Sequence, residues 1–158
     1  MKIISHRGNI NGKVLDKENK PSYLDSAIFS KIEVEADIRW IDNKFYLGHD
    51  NPDYIINEEW ILKRKDYIWF HCKNLEAAQK LETLSKDIKY FCHTNDPFIS
   101  TSTNHFWVHD FTCNLNNQCI IPLLDEIDIK NFNNKIVYAV CTDYVNFCKY
   151  NLRQKGLC

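Results

Sequence analysis

The stretch EADIRWIDNKFYLGHD, residues 35–50, opens on two carboxylates at alternate positions and closes on a His-Asp pair. Between them, IRWIDNKFYLG reads as two β-prone runs joined at Asp42-Asn43, a turn signal that predicts a hairpin. Residues two apart on a strand point the same way, so Glu35 and Asp37 share a face. The alternate set Ile32, Val34, Ala36 and Ile38 is apolar and belongs against a core. Two carboxylates crowded on the opposite face repel each other unless a cation lies between them. The hairpin turns His49 back toward the strand that carries them. The stretch therefore predicts a metal site with an acid/base group beside it.

Upstream, residues 2–5 (KIIS) form a short apolar run consistent with a buried strand, and His6-Arg7-Gly8 falls at its C-terminal end. Residues 9–20 are polar and turn-rich. Pro21 then opens a helix whose Leu24, Ala27 and Ile28 share one face, and residues 32–39 make the next strand. Strand, helix, strand is the start of a parallel α/β architecture.

Downstream, the sequence predicts a short helix over 58–65 and a strand over 67–72 (YIWFHC) that ends in Lys73-Asn74. Asn74 is placed to cap a helix with Leu75, Ala77, Ala78 and Leu81 as its apolar stripe. Further strands are expected at 88–92, 106–109, 120–123 and 136–141, with a closing helix through Arg153. Trp69 and Trp107 read as core aromatics. Between residues 97 and 135 there is little room for full-length helices. An eight-fold barrel takes about 250 residues and about 200 at the low end, so a barrel of 158 residues has shed parts of its second half.

Composition narrows the function classes. With 44% hydrophobic and 13% aromatic residues the chain is globular, and its length fits a single domain over 1–158. Twenty basic against 21 acidic side chains give a net charge of −1, which offers no electrostatic footprint for nucleic acid or an anionic membrane. A phosphate-bearing substrate would then be held by local groups. No run approaches the about 18–20 apolar residues of a membrane span, and nothing at the start reads as a signal peptide. Seven cysteines without a CxxC pair, several of them in β-like runs (Cys72, Cys92, Cys141), read as reduced, buried thiols of a cytoplasmic protein.

Polar groups gather at four expected strand ends: His6-Arg7, Glu35 with Asp37, His71 with Lys73, and Thr142-Asp143. Sites of parallel α/β folds lie at those ends. His93, His105 and His109 read more simply as structural histidines.

His6-Arg7-Gly8, Glu18-Asn19 ahead of a helix, Glu35-x-Asp37 and then His49-Asp50 together resemble the glycerophosphodiester phosphodiesterase family, in order and spacing, over the first third of the chain. Lys20 and Pro21 depart from the family's PENT-like element. Val140-Cys141-Thr142-Asp143 is similar to its last strand and turn. The resemblance implies a truncated or incomplete TIM-like (β/α) barrel with a β-hairpin inserted after strand 2. It also implies hydrolysis of glycerophosphodiesters or related lipid-headgroup phosphodiesters with one divalent metal ion, usually Mg or Ca. On it, His6 and His49 match the catalytic acid/base pair, Glu35 and Asp37 two metal ligands, and Arg7 and Lys73 the phosphate-binding groups. His71 stands where the family has a third, acidic ligand; an imidazole there softens the set and brings Mn or Zn into range. The expected partner is a small-molecule phosphodiester, with the oligomeric state open. Two alternatives stand beside hydrolysis: a repurposed barrel that binds phosphorylated small molecules, and a lyase that releases a cyclic phosphate.

Overall fold

The computed structural model describes residues 1–134 and 136–157. In chain order these form β1 (Lys2–His6), α1 (Pro21–Phe29), β2 (Glu33–Ile41), β3 (Lys44–Leu47), β4 (Tyr54–Ile56), α2 (Glu58–Arg64), β5 (Ile68–Cys72) and α3 (Leu75–Leu84). There follow β6 (Lys89–Phe91), β7 (Phe98–Ser100), β8 (Phe106–Val108), β9 (Cys119–Pro122), α4 (Glu126–Asn131), β10 (Ala139–Thr142) and α5 (Val145–Gln154). The ten strands join in one mixed sheet that curls into a half-barrel. Parallel pairing runs β6-β5-β2-β1-β10-β9-β8, and β7 closes the series as the antiparallel partner of β8. At its other end β6 is tied to residues beyond β7 by Ser102. Its amide donates to the Tyr90 carbonyl (2.9 Å), its hydroxyl accepts from the Tyr90 amide (2.9 Å), and that hydroxyl donates to the Ile88 carbonyl (2.8 Å).

The hairpin forms as expected. Asp42 and Asn43 take left-handed backbone angles (φ 48° and 59°), and Ile41 faces Lys44 across the two-residue turn. β3 takes over the edge of β2 that β1 leaves, and β4 extends the hairpin by a third strand. The period-two reading of β2 also holds. Val34, Ala36 and Ile38 are buried under α1 and α3 together with Leu24, Ala27, Ala77 and Leu81. Each large apolar side chain buried in this way contributes about 1.5–3 kcal/mol. A second apolar layer packs α4 and α5 (Ile129, Cys148, Leu152) on the outer faces of β9 and β10. The inside of the curl is filled by Ile4, Trp69, Phe91, Trp107, Ile120, Ala139 and Cys141.

Several expectations need correction. Leu75 is 66% exposed, because it is the first residue of α3 and lies outside the stripe made by Ala77, Ala78 and Leu81. Cys92 is exposed, since β6 stops at Phe91. The strand expected from residue 136 begins at Ala139, and Ile136 is 59% exposed. The six described cysteines are free thiols. Among the described residues no helix is long and apolar enough to cross a membrane.

Candidate active site

Strand register assembles the site. His6 lies opposite Glu35 on the neighbouring strand, and Asp37 lies opposite His71 on the next. All four side chains rise from the inner face, at the C-terminal ends of β1 and β5 and in the first half and middle of β2. His6, Arg7, Glu35, His49, His71 and Lys73 line one cleft of about 710 Å³. Asp37 is fully buried beneath it.

The chain leaves β1 through a sharp turn. Arg7 has φ 53° and Gly8 φ 90°, and a Cβ on Gly8 would come within 2.8 Å of the Tyr23 ring. The turn brings the Arg7 amide to Glu35 Oε2 (3.3 Å) and its guanidinium between Glu18 (3.0 Å) and Asp37 (3.0 Å). Asn19, buried and left-handed at φ 61°, brackets Asp37: its side-chain NH₂ donates to Asp37 Oδ2 (2.9 Å), and its side-chain carbonyl accepts from the Asp37 amide (2.8 Å).

His49 reaches the cleft through Arg39, the next inward residue of β2 after Asp37. The Arg39 guanidinium donates to the carbonyls of Gly48, His49 (2.8 Å) and Asn51 (3.0 Å), which holds the end of the hairpin over the strand. A Cβ at Gly48 would lie 2.1 Å from the Asn51 carbonyl, so this bend requires glycine. The His49 ring is fixed at Nδ1 by Asp50 (2.8 Å), with Nε2 left for the cleft.

His6 is held from the neighbouring strand β10. Asp143, fully buried just past β10, pairs with His6 Nδ1 at 2.8 Å and also accepts from Asn9 (2.8 Å). His6 Nε2 lies 3.8 Å from Glu35. Burial opposes charging of His6, but the Asp143 hydrogen bond and the Glu35 charge outweigh it and raise its pKa above the ordinary 6.5. The same pairing, working against burial, lowers that of Asp143.

The two carboxylates are driven apart. Burial and then the Asp37 charge push Glu35 up. Asp37 is equally buried, yet the adjacent His71 imidazole, Arg7 and Asn19 hold it well below the carboxylate range. Glu35, Asp37 and His71 each offer one ligand atom, all within 4.8 Å of one another. Asp37 Oδ1 is buried without an aligned hydrogen bond, although His71 Nδ1 stands 3.0 Å away and the Lys73 ammonium 3.6 Å. Two oxygen donors and an imbalanced imidazole contact of this kind fit a divalent cation.

Opposite these groups the cleft is walled by Phe91, Trp107, Pro122 and Leu124, with His93 and His109 stacked at 4.1 Å on its rim. Burial, then the neighbouring imidazoles, lower the pKa of His109 to about 4. Sequence reasoning left Arg39 without a role and gave Asp143 no partner. The even spacing of Glu35, Asp37 and Arg39 along one strand face was the available signal for the first; nothing local signals the second.

Fold and cleft together define an α/β half-barrel with a charged histidine-carboxylate centre at the strand ends. The chain matches no protein-family model, no curated protein and no solved structure.

Proposed function

We propose that the protein is a metal-dependent phosphodiester hydrolase of small phosphodiesters, with glycerophosphodiesters or related lipid-headgroup esters as the substrate class. On this reading the half-barrel is a truncated TIM-like barrel and a divergent member of the glycerophosphodiester phosphodiesterase family, acting in the cytoplasm. The observation that carries it is the convergence of His6 and His49 on one cleft above the Glu35, Asp37, His71 cluster.

Glu35, Asp37 and His71 would hold the cation, Mg or Ca by resemblance and Mn or Zn by the imidazole. Such an ion supplies Lewis-acid polarisation of a phosphoryl oxygen. Arg7 and Lys73, facing the same cleft, place positive charge where the non-bridging oxygens become more negative. His6, whose raised pKa favours the protonated ring, donates from Nε2 to the leaving alkoxide, with Asp143 fixing the tautomer through Nδ1. His49, oriented by Asp50, removes the proton from the attacking water or from a substrate hydroxyl, the second route giving a cyclic phosphate.

The test is hydrolysis of glycerophosphocholine and of bis(4-nitrophenyl) phosphate with Mg²⁺, Ca²⁺, Mn²⁺ or Zn²⁺ added in turn. Turnover that requires the metal and falls at least about a hundredfold in His6→Ala and His49→Ala supports the proposal; metal-dependent turnover unchanged in both variants refutes it. Phosphorus NMR of the products separates a linear monoester from a cyclic one.

One observation favours a second reading, a binder of phosphorylated small molecules without turnover. Arg7 and Lys73 already compensate the Asp37 carboxylate, at 3.0 and 3.6 Å, which lessens the pull on a cation. Calorimetric binding of glycerol phosphate, with no turnover under any of the four metals, selects it.

A further inference from the structure

Parallel register sets His71 beside Phe91, and the next residues along the two chains are Cys72, which closes β5, and Cys92, which lies just past the end of β6. Neighbouring strands run about 4.7–4.9 Å apart, inside the Cα separation that a disulfide spans, about 4.4–6.8 Å. The two thiols also border the same cleft. They are unequal in access. Cys72 is 4% exposed within the layer between sheet and α3, whereas Cys92 is exposed, and both lie along the cleft. An accessible thiol backed by a buried partner is the arrangement in which one sulfur meets an oxidant and the other resolves the product.

We propose that Cys72 and Cys92 form a redox-modification site, a vicinal dithiol that closes to a reversible disulfide with a hydroperoxide as oxidant. The Cys92 thiolate attacks one peroxide oxygen, the O–O bond breaks, and the sulfur becomes a sulfenic acid as hydroxide leaves and takes up a proton to become water. The Cys72 sulfur then attacks the sulfenic sulfur, the S–O bond breaks, and a second water leaves with the thiol proton. Overall two thiols are oxidised by two electrons and one hydrogen peroxide is reduced to two waters. The device bears on the cleft because Cys72 sits between His71 and Lys73, and Cys92 immediately precedes His93. Drawing the two sulfurs to bonding distance pulls on both strand ends that carry these side chains. The proposal is independent of what the cleft binds or cleaves.

The experiment uses the full chain, reduced and then exposed to a small excess of hydrogen peroxide, with free thiols capped by N-ethylmaleimide before mass spectrometry. The expected result is a loss of two hydrogen masses and of two capping groups, reversed by dithiothreitol, with the chymotryptic peptides 71–75 and 92–98 cross-linked. Cys92→Ser, a change at an exposed position, abolishes the cross-link. Cys72→Ala, which keeps the buried site apolar, leaves an oxidised Cys92 that dimedone traps. An unchanged mass, a cross-link that maps to other cysteines, or a Cys92→Ser chain that still loses two hydrogens overturns the proposal.

Discussion

The two sides of the cleft are built differently. Through β6 each inner strand is covered by a helix, and the longest of them, β2, alternates so strictly that one face is core and the other carries Glu33, Glu35, Asp37 and Arg39. Beyond β6 the strands have three or four residues, and the one helix between β8 and β10 has six. That side gives the cleft an aromatic and apolar wall. A long strand presents several inward positions, enough to stack a structural pair, a site and a tether along one line. A three-residue strand presents one or two, which the interior filling consumes: Trp107 of β8 stacks on Phe91 at 4.3 Å and meets Trp69 at 6.4 Å. In this molecule chemistry follows strand length.

If the division is real, Trp107→Ala removes about 3–5 kcal/mol of folding stability, measured by urea unfolding, while metal affinity in the folded protein is unchanged. Loss of metal binding in a fully folded Trp107→Ala chain would break the division.

The reverse is expected of Asn19, whose left-handed backbone makes glycine the clean replacement. Asn19→Gly takes away both hydrogen bonds that orient Asp37 and lowers Mn²⁺ affinity about 10–100-fold by calorimetry, with a smaller cost to stability than Trp107→Ala. Absence of Mn²⁺ binding by the parent chain would remove the polar side's proposed role.

The smallest effect tests a polar link across the divide, His6 to Asp143. Because His6 has a raised pKa in the folded state, its share of stability is complete below 6.5 and is lost as pH rises through the folded value. Asp143 has a lowered one, so its share is present above 3.8 and is lost as pH falls through its folded value. The pair therefore stabilises most between those limits. Asp143→Asn lowers the His6 pKa, read by NMR titration of the imidazole, and flattens the decline of stability on the alkaline side; an unmoved His6 titration would show that the link carries nothing.

What could be read from residues alone follows the same line. The hairpin at Asp42-Asn43, the core face of β2, the cap at Asn74 and the cluster of polar strand ends are all local patterns, each spanning a few positions of one element. β4, β7 and α4 were not expected from the sequence; β4 and β7 are defined by antiparallel partners rather than by composition, and six residues are too few for α4 to display a helical period. Exposure of Leu75 and Cys92 turned on element ends that a pattern locates only within a residue or two. The Asp143 contact joins positions 137 apart, and only the parallel closure of β1 on β10 brings them together.

Ser102 has a consequence for how copies of the chain meet one another. β6 ends the parallel ladder, and an outermost strand ordinarily presents bare amides and carbonyls that another polypeptide can zip onto. At Tyr90, the middle of that short strand, both groups are already engaged by a single serine. One hydroxyl and one amide thus act as a plug in what would otherwise be a socket, and fibril-like stacking loses its starting template at this end.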